Sequence, residues 1–122
     1  MNVPTPVEIK LHQQTRVLEV KFDDGSDYRY ACEFLRVNSP SAEVQGHGPG
    51  QETLQTGKEN VNISSIEPVG NYGIKPVFSD GHDTGIFSWE TLFIMGQNYD
   101  AIWQDYLDRL EKSGYQRKVG DA

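Results

Sequence analysis

Apolar and polar positions alternate through residues 7–22, "VEIKLHQQTRVLEVKF", with Val7, Ile9 and Leu11 on one arm and Val17 or Leu18, Val20 and Phe22 on the other. A period of two is that of half-buried strands, so the stretch predicts a hairpin turning at "HQQT". "DDGS", Asp23 to Ser26, is a turn, because Gly25 takes a positive φ without a Cβ clash, and "DYRY" reads as a third strand. In "ACEFLRVNSP" the apolar spacing becomes helical. This helix, about two turns long, must stop before Pro40, since the residue preceding a proline is pushed out of the α region. From Ser39 to Gly57 the apolar content falls while Gly46, Gly48, Pro49 and Gly50 gather. A long loop is expected there, and long loops in compact domains are usually functional or mobile.

"NVNISSIEPV" and "YGIKPVFSD" predict a second hairpin across "GN". Pro76 cannot donate to a ladder and belongs on an edge or at a bulge. A short strand, "IFS", comes after "DGHDTG". From Trp89 to about Ser113, Leu92, Phe93, Met95, Tyr99, Ile102, Trp103, Tyr106, Leu107 and Leu110 recur at three and four residues. That stripe faces a core from one long helix or two, and Gly96 is either the break or a close-packing point. Its aromatics are read as core rather than as a partner groove. Gly114 suits a C-terminal cap, with a polar tail beyond it. The order predicts an α+β domain: a mostly antiparallel sheet of about five to seven strands, one short helix and one long C-terminal helix. A single domain is expected over residues 1–122, with its core at about 7–110.

Composition narrows the function classes. A chain of 122 residues can bury a core without disulfide or metal staples. The lone Cys32 cannot form an internal disulfide, and a reduced cytoplasm is the simplest expectation. No apolar run approaches the roughly 20 residues that span a bilayer, so a soluble, unprocessed protein without membrane association is expected. A formal net charge of −7 repels phosphate backbones, and no basic patch offsets it; nucleic acid is not an expected partner.

The sharpest candidate for chemistry is "FSDGHDTGIFSW". Asp80, His82 and Asp83 would converge in a tight turn, and His with carboxylates suits a divalent metal; His47 would join if the glycine-rich loop folds back. Aspartate and glycine are equally the vocabulary of a hairpin loop, in which a histidine needs no ligand. Cys32 is most simply a small buried apolar group. No nucleophile elbow, P-loop, dinucleotide fingerprint or zincin motif occurs. Arg36 is a candidate anion anchor between the long loop and the sheet, or a salt-bridge residue.

"FDDGSDYRYACEFLRVNSPSAE" followed by "GKENVNISSIEPVGNYGIKPVFSDGHDTGIFSWETL" resembles the gamma-butyrobetaine hydroxylase-like N-terminal domain family, over about Val7 to Leu110. The resemblance implies a domain that accompanies enzymes. Such domains precede the oxygenase domain of gamma-butyrobetaine and trimethyllysine hydroxylases and follow some plastid iron–sulfur carrier ATPases. Neither an oxygenase barrel nor a P-loop is present in these residues, so catalysis of the carnitine pathway is not implied. In the hydroxylases the domain holds a structural zinc through three cysteines after an "LRxN" stretch and one later histidine. At those positions this chain has Ser39, Ser41, Val44 and His82. Two neutral hydroxyls and a valine do not make a closed zinc site, so no resident cofactor is expected. The leading expectation is a small non-enzymatic accessory domain that binds a protein partner, with a link to iron–sulfur or redox metabolism implied by the fused relatives. The alternative is a metal-binding domain or metal-dependent enzyme using the His82 turn.

Overall fold

The computed structural model describes residues 3–48 and 50–118. Its first unit is a meander: β1 (Pro6–His12), β2 (Val17–Phe22) and β3 (Asp27–Ala31), antiparallel in the order β1-β2-β3. The expected alternation shows in the register, with Ile9 opposite Val20 and Leu11 opposite Leu18. Asp24 closes the β2–β3 turn by accepting from the Ser26 amide at 2.9 Å, with Gly25 at φ 91° as that turn requires.

Helix α1 (Cys32–Val37) comes next without a break and is buried along its whole length. It ends at Asn38, whose side-chain amide donates to the Phe34 carbonyl at 2.9 Å. The stretch expected as a long loop contains a helix of its own, α2 (Ala42–Gln45), started by the Ser41 hydroxyl accepting from the Glu43 amide. Beyond α2 the chain is anchored rather than loose. The Thr53 amide bonds the Val44 carbonyl at 2.8 Å, and the Tyr106 hydroxyl donates to the Gln55 carbonyl at 2.7 Å.

The second hairpin, β4 (Ile63–Val69) with β5 (Gly73–Phe78), is joined by the two-residue strand β6 (Phe87–Ser88). The fold is therefore α+β, but with two three-stranded antiparallel sheets rather than one sheet. The β6 ladder stops at Ile74, so Pro76 falls where β5 has only β4 as a partner. The expected single long helix is two, α3 (Trp89–Gln97) and α4 (Tyr99–Ser113), which makes four helices in all among the described residues. The break falls at Asn98, whose side chain caps the Ile94 carbonyl. Gly96 is the close-packing point, because a Cβ there would overlap the Tyr28 ring.

One apolar cluster joins the sheets: Leu18, Val20, Phe22 and Tyr30 meet Ile63, Ile74, Phe78 and Phe87, with Phe34, Leu35 and Leu92 from α1 and α3. Tyr99 stacks on Phe34 at 4.0 Å between centroids. A smaller cluster, Val37, Tyr106 and Leu110, seats α4. Residues 115–118, expected as the start of a polar tail, fold back onto the body through Glu33 and Glu59; the rest of that tail, residues 119–122, lies outside the described residues. Among the described residues no helix is long and apolar enough to cross a membrane.

Candidate functional site

Three segments meet where the end of α1 passes into α2 beside the β5–β6 turn. Asn38 ends α1, and Ser39–Pro40–Ser41 carries the chain into α2, whose cap is Ser41. Opposite runs "SDGHDTG", folded back by bonds from the Phe78 amide to the His82 carbonyl and from the Gly81 amide to the Phe78 carbonyl. This places the His82 imidazole inside, with its side chain 2 % exposed.

Both ring nitrogens are engaged. Nε2 lies 2.9 Å from Ser39 Oγ and Nδ1 lies 3.2 Å from Glu43 Oε2. Ser39 Oγ also accepts from the Ser41 amide at 3.2 Å, and Ser41 Oγ accepts from the Glu43 amide. Ser41 Oγ lies 2.7 Å from Thr84 Oγ1, which donates to Glu43 Oε1 at 3.2 Å. With a neutral imidazole, one proton arrangement satisfies every contact: Ser39 donates to Nε2, Nδ1–H donates to Glu43, Ser41 donates to Thr84, and Thr84 donates to Glu43. Two hydrogen-bonded chains thus converge on one carboxylate, and such chains polarise one another in a low-dielectric setting. No buried side-chain nitrogen or oxygen among the described residues lacks a partner.

Serine to Nε2 and Nδ1 to carboxylate is the connectivity of a hydrolase triad, but here the exposures are reversed. Ser39 is wholly buried, whereas the Glu43 side chain is 63 % exposed. Ser39 Oγ is further shut in by Gly85, where a Cβ would overlap it. An acyl carbon has no approach, so the cluster acts as a polar staple between α2 and the β5–β6 turn.

Of the four positions at which the resemblance implies zinc ligands, Ser39, Ser41 and His82 share one hydrogen-bonded cluster, yet the set does not fit the ion. Ser39 and His82 bond each other directly, both imidazole nitrogens are in use, and Val44, 3 % exposed, offers no lone pair. Among the described residues no three His, Cys, Asp or Glu side chains are placed to hold a metal ion. Asp83 and His47 are exposed. Asp80 turns away from the imidazole toward two cations, Arg36 Nε at 2.9 Å and Lys58 Nζ at 2.6 Å, while its other oxygen accepts from the His82 amide. Burial pushes the Asp80 carboxyl up, but the hydrogen bonds from Lys58, the His82 amide and Arg36, with the Arg36 charge, outweigh it and hold the group at about 2. Arg36, 7 % exposed, is thereby paired within the fold, with Gln55 as a further acceptor at 3.1 Å. Burial pushes the Cys32 thiol up to about 11, against a backbone hydrogen bond at Ile63 and the charge of Arg16 that lower it. The thiol stays protonated at neutral pH.

Sequence reasoning missed Glu43, Thr84 and Gly85. An exposed glutamate inside a segment read as loop carries no periodic signal; the available clue was Ser41 two residues earlier, a helix-starting serine.

Comparisons with known proteins agree with this architecture. A structure solved in solution by NMR is 46% identical, with a TM-score of 0.83 over 99% of this chain and 91% of its own. A second NMR structure is 40% identical, with a TM-score of 0.82 over 99% and 95%. A crystal structure from Acidithiobacillus ferrooxidans, of a protein with unknown function in the DUF971 family, is 41% identical, with a TM-score of 0.63 over 75% and 93%. No curated protein matches. The model of the gamma-butyrobetaine hydroxylase-like N-terminal family matches residues 9–93, most of both sheets and the start of α3, and the chain belongs to that family.

Proposed function

We propose that this chain is a non-catalytic accessory domain that works in the cytoplasm by binding a protein partner. One observation carries the reading: the side chains that would do chemistry are engaged inside the fold. The Ser39 hydroxyl and the His82 imidazole are buried and hydrogen-bonded, the Cys32 thiol is buried, and Asp80 is paired with Arg36 and Lys58. What the fold offers outward is surface. Tyr72, 53 % exposed, and Ile86, 42 % exposed, stand at opposite ends of the β5–β6 ladder, and tyrosine is among the residues that most often anchor protein contacts. A role beside iron–sulfur or redox enzymes rests on the fused relatives alone.

Affinity capture from cells at physiological salt, followed by mass spectrometry, tests the reading. A reproducible protein partner is expected, and recovery of none would overturn it. A partner outside iron–sulfur and redox metabolism would remove the metabolic assignment while leaving the accessory role in place.

A further inference from the structure

Beyond the cap of α4, at Gly114, the chain returns across the body as a short strap, Tyr115 to Lys118. Glu59 holds it at two points, accepting from the Tyr115 hydroxyl at 2.7 Å and from the Lys118 amide at 2.6 Å. Between them Arg117 turns inward. Its Nε donates to Glu33 Oε2 at 2.9 Å and its Nη2 donates to Glu33 Oε1, a two-pronged bond between a planar fork and a carboxylate. The same guanidinium lies over the Trp103 ring, 5.2 Å from its centroid. Trp103 is held in turn by Tyr106 at 5.3 Å and Phe34 at 6.4 Å.

These features belong to a receptor for one kind of group. A carboxylate presenting both oxygens and an aromatic plate beside it select a flat delocalised cation over the compact ammonium of lysine. The receptor half is built into the body: Glu33 sits in the first turn of α1 and is 7 % exposed, and Trp103 lies mid-way along α4. The occupant is a short strap outside any helix or strand, seated on the apolar cluster of Val37, Tyr106 and Leu110 through Tyr115 alone among the described residues. A carboxylate so enclosed is costly to leave without a counter-charge, so lifting the strap is coupled to the arrival of another cation.

We propose that Glu33 and Trp103 form a guanidinium-binding site, occupied in cis by Arg117, that exchanges the strap for an arginine side chain in an extended segment of a partner protein. This deepens the accessory-domain reading and rests on it for the existence of a partner. The strap then works as a competitor whose high local concentration lowers the apparent affinity of any incoming segment.

The test is titration of the full chain with the acetylated, amidated peptide Tyr-Gln-Arg-Lys, followed by the NMR signal of the Trp103 indole. Arg117→Ala is expected to bind saturably, about tenfold or more tighter than the unsubstituted chain, because the cis competitor is gone. Arg117→Lys retains a cation beside Glu33, protecting the fold, and should bind more tightly than the unsubstituted chain as well. The peptide with Lys in place of Arg should bind more weakly, and adding Glu33→Gln to either variant should abolish saturation. Absence of saturable binding to both Arg117 variants, equal binding by the unsubstituted chain, or binding indifferent to Glu33→Gln would overturn the site. Each of these results leaves the capture experiment standing, and a failed capture leaves the peptide result standing.

Discussion

His82 and Glu43 hold the two ends of the staple, but their environments differ. His82 is enclosed, so His82→Ala strips the buried Ser39 hydroxyl of its acceptor and should lower unfolding stability by about 1–3 kcal/mol. Glu43 reaches water and can be replaced by it; Glu43→Ala should cost less, about 0.5–1.5 kcal/mol. Urea denaturation of both variants checks the order, and a larger loss for Glu43→Ala would show that the exposed carboxylate, not the buried contact, dominates. Gly96 poses a different contest. Alanine improves helix propensity by about 1 kcal/mol, while forcing a methyl into the Tyr28 ring costs about 1–3 kcal/mol. Gly96→Ala should therefore be net destabilising, and a raised thermal midpoint would contradict the packing seen there. His82 stood out in the sequence because histidine is scarce in this chain, whereas Glu43 did not, being one of 18 acidic residues with no pattern to mark it.

Elements built from local patterning were legible, and those decided by tertiary contact were not. The β1–β2 and β4–β5 hairpins arise from alternation and turn residues in one stretch of chain. Their separation into two sheets depends on a pairing choice between distant hairpins that no periodicity encodes. Helix α2 escaped notice because its four residues sit among glycines, and the α3–α4 break falls at Asn98 because that side chain offers a local cap, while Gly96 invites a break it does not make. Three elements are tied by charge: Arg36 on α1, Lys58 before β4 and Asp80 after β5. With the Asp80 carboxyl at about 2 in the fold against an ordinary 3.8, this tie is fully present above about pH 4 and is lost as pH falls toward 2. Asp80→Asn should flatten the dependence of the urea midpoint on pH over that window, and an unchanged acid profile would mean that the tie contributes nothing.

At the scale of the molecule, the α+β class and the family were readable from residues 7–110, since a strong resemblance and a regular pattern coincided there. Among the described residues 17 apolar side chains are buried, 13 of them in the cluster that joins the two sheets, and a chain of this length can bury a core of that kind without staples. The candidate sites were less legible, because the strap and the staple are long-range contacts, with 84 residues separating Arg117 from Glu33 and 43 separating Ser39 from His82. The central claim is that the Ser39–His82–Glu43–Thr84 staple ties the start of α2 to the β5–β6 turn by hydrogen bonds alone, at positions where the resemblance implies a zinc site. Its most direct test is the thermal midpoint of dialysed, untagged protein in plain buffer, in excess EDTA and with added zinc, alongside elemental analysis. The three midpoints should coincide and zinc should be substoichiometric. A midpoint that falls in EDTA, or stoichiometric zinc surviving dialysis, would contradict the staple and return His82 to the role of a metal ligand.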